Sequence, residues 1–145
     1  MAMSQEILEL VKAVDQLQSV DGEDLELLQK VADRYFAQSD ASQHLDVWFR
    51  LYERFPDDDG YGVFWTILHG IESQAGSGDS VVRSVQRAPT HFSLLMVNRM
   101  LNGGTSSVNG TNLLELLNHV ASNEQISPSV RDDAISFVEH QRDRA

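Results

Sequence analysis

Two places in the chain combine residue types that could do chemistry. The first is Asp57-Asp58-Asp59-Gly60, three carboxylates in a row before a glycine, a composition that suggests a calcium loop. In an EF-hand the glycine stands at loop position 6. That register puts Phe55 at position 1 and Thr66 at position 12, where carboxylates are required, so an EF-hand is excluded. Negative charge just ahead of a helix N-terminus is favourable in its own right. That explains part of the run, but not three acids beside Tyr61 and Trp65.

The second place is His69 with Glu72, spaced i, i+3 so that a helix carries both on one face and offers two metal ligands. A di-iron bundle needs the order Glu-x-x-His twice, with further glutamates projecting inward. Here the order is reversed and occurs once. His44, His91, His119 and His140 are dispersed, and none forms an HExxH zinc pair. There is no phosphate-cradling loop with its lysine and hydroxyl. The serines fall in expected loops and caps rather than at a strand-turn-helix elbow. Carboxylate pairs abound in so acidic a chain and discriminate nothing. The absence of cysteine removes thiolate nucleophiles, disulfides and thiolate zinc sites. The expectation is a protein that is not an enzyme and needs no metal or cofactor.

Aromatic residues give a more specific signal. Trp48, Phe49, Tyr52, Phe55, Tyr61, Phe64 and Trp65 crowd into 18 residues around the acidic run, and both tryptophans of the chain are among them. Most belong in a core, since Trp48 and Tyr52 share a helix face and Phe64 has aliphatic neighbours. An acidic loop bordered by Tyr and Trp is also the composition of a binding hot spot.

The formal net charge is −11. Such a surface repels phosphate backbones and anionic lipid, so neither nucleic acid nor membrane is an expected partner. It attracts a basic protein and speeds the encounter, although acidity also serves solubility alone. The distribution is uneven: residues 1–72 hold 15 acids against 5 bases, and residues 73–145 hold 7 against 6. No apolar run approaches the roughly 18 residues of a membrane span. The N-terminal residues lack a signal peptide's basic start and apolar core. A cytoplasmic address is the simplest expectation.

The elements that must position these residues read as helices throughout, because apolar residues recur at helical spacing and β-branched alternation is scarce. Helices are expected over about residues 4–19, 21–38, 40–54, 61–73, 79–87, 89–102 and 111–122, with a last one starting at about residue 128 and carrying Val130, Ala134, Phe137 and Val138, boundaries being good to about 2–4 residues. Asp21 is the expected N-cap of the second, Asp40 with Gln43 a capping box for the third, and Asp79 the cap of the fifth. The third must stop before Phe55-Pro56. The fourth is apolar nearly all round and is expected to be central and buried. Pro89 suits the first turn of the sixth helix, and Ser127-Pro128 a cap and first turn for the last. Residues 74–78 and 103–110 read as flexible loops. Together these give one all-α domain over residues 1–145, about eight helices in consecutive antiparallel hairpins, as a compact irregular bundle or a short stack of helix pairs.

The stretch WFRLYERFPDDDGYGVFWTILHGIES at residues 48–73, followed by RSVQRAPTHFSLLMVNRMLNGG at residues 83–104, resembles a family of bacterial immunity proteins encoded beside polymorphic toxins. The resemblance implies a cytoplasmic antidote that binds one cognate toxin, such as a basic nuclease, and blocks it by stoichiometric occlusion. Under it, Asp57, Asp58, Asp59, Tyr61, His69 and Glu72 are the partner-contact residues, with Gly60 and Gly62 shaping the turn. Neither the toxin's activity nor the oligomeric state follows from the sequence. Two alternatives stay open: a helical adaptor or scaffold subunit that binds a basic protein or peptide, and a nucleic-acid mimic. The second fits the charge better than it fits the aromatics.

Overall fold

A computed structural model describes residues 5–56 and 58–144. The chain is all-α apart from one two-residue strand pair, and it divides into two compact units, one up to Ser77 and one from Gly78 onward.

The first unit holds α1 (Gln5–Asp15), α2 (Gly22–Phe36), α3 (Asp46–Arg54) and α4 (Val63–Glu72), with short 3-10 helices at Ala41–His44 and Gly60–Gly62. Helix α1 packs on α2 and α3, and α2 packs on α4. The amphipathic spacing of α1 buries Ile7, Leu10 and Val14. Its C-terminal end is fixed by two arginines of α3. Arg50 forks onto both carboxylate oxygens of Asp15 at 3.1 and 2.9 Å, and the Arg54 guanidinium donates to the carbonyls of Val14, Asp15 and Leu17. Those of Val14 and Asp15 belong to the last turn of α1, where helix carbonyls lack their full set of intrahelical partners, and the helix ends at Asp15 and not at residue 19.

Two expected caps do not form. Asp21 is the N-cap residue of α2 but makes no side-chain cap bond; its Oδ1 instead accepts from the Ser19 hydroxyl at 3.2 Å. The capping box at Asp40 and Gln43 is replaced by a 3-10 turn, and α3 begins only at Asp46. The buried Tyr35 hydroxyl donates to the Ala41 carbonyl at 2.5 Å, and so competes for the oxygen that an α-helix would offer to the amide of Leu45. As expected, α3 ends at Arg54, before Phe55-Pro56.

The core of this unit is aromatic. Tyr35 and Trp48 meet edge to face at 5.2 Å, Phe36 stacks on Trp48 at 5.3 Å, and Tyr52 and Phe64 meet edge to face at 5.0 Å. The fully buried ones, Tyr35, Trp48, Tyr52 and Phe64, each contribute on the order of 1.5–3 kcal/mol. Tyr35 and Tyr52 are both held well above the usual phenol range, chiefly by burial, with the negative charge of Glu72 adding to the effect at Tyr52.

The second unit holds α5 (Ser77–Arg87), which opens it, α6 (His91–Asn102), α7 (Leu113–Ala121) and α8 (Pro128–Arg144), with α6, α7 and α8 in mutual contact. Asp79 lies inside the first turn of α5, not at its cap, and pairs with Arg83 one turn on. Pro89 precedes α6 without entering it, because Thr90 and Ser93 form a reciprocal capping box that fixes the start at His91. Part of the expected loop at residues 103–110 is a hairpin of β1 (Ser107–Val108) and β2 (Thr111–Asn112). It turns on Asn109 at φ 47° and Gly110 at φ 83°, the Asn-Gly pair that tight hairpins favour. The Asn109 amide donates to Asp79 at 2.9 Å and ties the hairpin to α5. Helix α8 begins at Pro128 as expected. Among the described residues no helix is long and apolar enough to cross a membrane.

Candidate functional site

Around the acidic run, the chain leaves α3 through Phe55 and enters α4 through three successive residues at positive φ: Gly60 at 58°, Tyr61 at 48° and Gly62 at 92°. Glycine adopts that region freely, whereas a tyrosine there costs about 1–2 kcal/mol. The conformation is held from both sides. The Asp59 carboxylate accepts from the Tyr61 amide at 2.9 Å. Gly60 is buried against the Phe64 ring, and the Phe64 carbonyl accepts from the buried Tyr52 hydroxyl at 2.9 Å. The turn is therefore anchored to the aromatic core while its tyrosine points away: Tyr61 is 76% exposed.

Helix α4 is not apolar all round. Val63, Phe64, Ile67, Leu68 and Ile71 are buried, but Trp65, Thr66 and His69 are exposed. The helix is amphipathic and half-buried because its apolar positions fall in register i, i+1, i+4, i+5, i+8, which leaves Trp65 off the stripe. Trp65 is 41% exposed, and its ring centroid lies 6.2 Å from that of His69, one turn further on. The spacing of Trp65, His69 and Glu72 is i, i+4, i+7, which places them on one side of the helix. Glu72 is half-buried and close enough to Tyr52 to act on it electrostatically.

Of the residues expected to contact a partner, the structure brings Asp58, Asp59 and Tyr61 together on the exposed turn, and His69 and Glu72 onto the exposed side of α4 that follows it. Asp59 is exposed but also serves as a cap. Asp57 lies outside the described residues. Trp65 was missing from the expected set, and its place off the buried stripe was readable in the sequence. The aromatic cluster resolves into a buried group, Trp48, Phe49, Tyr52 and Phe64, and an exposed pair, Tyr61 and Trp65. Phe55 is half-buried, with the Arg54 guanidinium 5.6 Å above its ring.

The charge partition follows the division of the chain. Residues 73–77 carry no charge, so the unit ending at Ser77 holds 15 acids against 5 bases, and the remainder 7 against 6. Among the described acids of the first unit, Glu6 pairs with Arg34 at 2.7 Å and Asp15 with Arg50. Exposed pairs of this kind hold by only about 0–1 kcal/mol, so the field of the unit remains strongly negative.

A second arrangement with chemical potential lies elsewhere. His91 Nδ1 is 2.8 Å from Asp133 Oδ2, a contact of the kind by which a triad's carboxylate orients its imidazole. The hydroxyls nearest in sequence, Thr90 and Ser93, are buried and committed to the capping box. The pair ties α6 to α8. Among the described residues, no three His, Asp or Glu side chains converge as a metal would require.

Comparison of the chain with protein-family models, with curated proteins and with solved structures gave no match.

Proposed function

We propose that this protein is a stoichiometric binding module that holds a basic partner protein on its acidic first unit, and that it serves as the cytoplasmic immunity protein of a bacterial toxin. Supporting the binding reading is one coincidence: the unit with nearly all the net charge also displays Tyr61 on a strained turn and Trp65 on the first turn of the helix that follows it. Backbone strain of this sort persists where the surroundings over-determine it, and it concentrates at functional positions. Buried aromatic anchors within a polar rim are the common form of a binding hot spot. Opposite charge would steer the encounter, and the aromatic pair would be desolvated on docking. The immunity assignment rests on the resemblance of residues 48–73 and 83–104. The experiment is co-expression with the product of the neighbouring reading frame, scored for rescue from toxicity and for a one-to-one complex. A neighbour that is neither toxic nor bound overturns the assignment.

The adaptor reading is favoured by a different observation. A shallow, mostly apolar groove of about 380 Å³ is lined by Leu25, Glu26, Gln29, Lys30 and Val63, and it suits the apolar side chain of a bound peptide or helix. Isolation of a stable complex with a non-toxic subunit would decide for it.

A further inference from the structure

The second unit contains a pocket of about 410 Å³ built from the end of α5, Pro89, α7 and the segment that follows it. That volume falls within the range of small-molecule sites. Its inner surface is apolar and buried, formed by Val85, Leu116 and Val120. Its polar positions are Gln86, Arg87, His119 and Asn123, of which the first three are exposed. In a chain with 22 acids and 11 bases, no carboxylate is among its described lining residues.

The polar groups favour an acceptor-rich ligand. Asn123 Oδ1 already accepts from the Gln125 amide at 3.0 Å, which leaves the Nδ2 donor of that side chain to serve the pocket. Arg87 offers donors only. With five N–H groups in its fork it can keep a partner within the chain and still present others. Neutral imidazole donates from one nitrogen, so His119 can contribute a third donor. Arg87 and His119 lie in the last turns of α5 and α7, where positive charge is generally favoured. That explains their type but not their convergence on one cavity. The carbonyls at the end of α7 are not left bare towards a ligand: those of Asn118 and Val120 accept from the amides of Ser122 and Asn123.

We propose that this pocket binds a small apolar carboxylate, its hydrocarbon body against Val85, Leu116 and Val120 and its carboxylate held by Arg87, Asn123 and His119. The lining of this site lies wholly within the second unit.

The test titrates the full chain with hexanoate, hexanol and hexylamine and follows the amide and methyl resonances. Saturable shifts confined to the lining residues are expected, with affinity falling from acid to alcohol to amine. Arg87→Gln should weaken hexanoate by about tenfold, the scale of a lost charge-assisted contact, and leave hexanol unchanged. Ile126→Trp, which narrows the pocket at a half-buried position, should weaken both. A peptide ending in leucine, with its carboxylate free or amidated, identifies the source of the carboxylate. Binding of the free form points to a chain terminus, and refusal points to a free small acid. Hexylamine or hexanol binding as tightly as hexanoate would overturn the proposal. So would an unchanged acid affinity in a folded Arg87→Gln protein, or no saturable shift with hexanoate at millimolar concentration.

Discussion

The Phe64 ring lies over Gly60 so closely that a Cβ added to Gly60 would stand 2.6 Å from its Cδ1. The contact joins the acidic turn to the core, and it separates two glycines that look alike in sequence. A Cβ at Gly62 would meet nothing within 4 Å. Gly60→Ala should therefore lose about 2–4 kcal/mol, from positive φ and from overpacking against a buried ring. Gly62→Ala should lose only the conformational part, about 1–2 kcal/mol. Urea denaturation of the two variants checks the order; equal losses would mean that Phe64 yields freely.

Tyr61 should behave as a residue kept for something other than stability. It is exposed and sits at positive φ, so Tyr61→Gly removes strain at the cost of a looser unfolded chain. The stability should stay within about 1 kcal/mol of the parent, on the stabilising side. Binding of a partner by the same variant should weaken. A clear loss of stability would show that the ring contributes packing and is not on display.

Charge and cap can be separated at Asp59. Asp59→Asn keeps an oxygen for the Tyr61 amide and should leave stability nearly unchanged, whereas Asp59→Ala should lose about 0.5–2 kcal/mol. Reversing Asp57, Asp58 and Asp59 together to lysine should slow association with a basic partner by at least about tenfold, and the salt dependence of association should fall with it. An affinity and rate unchanged by that triple substitution would move the partner surface elsewhere.

Alkaline pH should unfold the first unit through its two buried phenols. Tyr35 and Tyr52 have folded pKa values raised above the unfolded value near 10. Their contribution is thus fully present below pH 10 and is lost as pH rises beyond it. Each should remove about 1.4 kcal/mol per pH unit above that point until its folded pKa is reached. Tyr52→Phe should roughly halve the slope while losing about 1 kcal/mol at neutral pH, since the Phe64 carbonyl forfeits its donor. Stability measured at a series of pH values gives the slope directly.

Much of the fold was legible because it depends on local chemistry. The stop before Phe55-Pro56, the start at Pro128 and the stripes of Ile7 with Val14 and of Val130 with Val138 need no distant partner. What the sequence did not reveal depends on side-chain contacts that helical periodicity does not encode, some local and some distant. The turn at Ala41 is 3-10 because Tyr35 reaches its carbonyl, and α1 is cut short where Arg50 and Arg54 gather its last residues. The candidate site was half legible. The acids and Tyr61 stood out by composition, but the sidedness of α4 required counting its apolar register, and Trp65 was missed for want of it. The pocket on the second unit has no signal in the sequence, since its walls come from two separate segments, residues 85–89 and 116–126.

The two tryptophans occupy opposite environments. Trp48 is fully enclosed, while Trp65 is partly exposed beside His69. The chain therefore carries its own optical label. The emission of Trp48 should be blue-shifted and deaf to an aqueous quencher, and that of Trp65 red-shifted and open to it. Any molecule that covers α4 would silence the quenchable fraction alone, so occupancy of this face can be followed without attaching a dye.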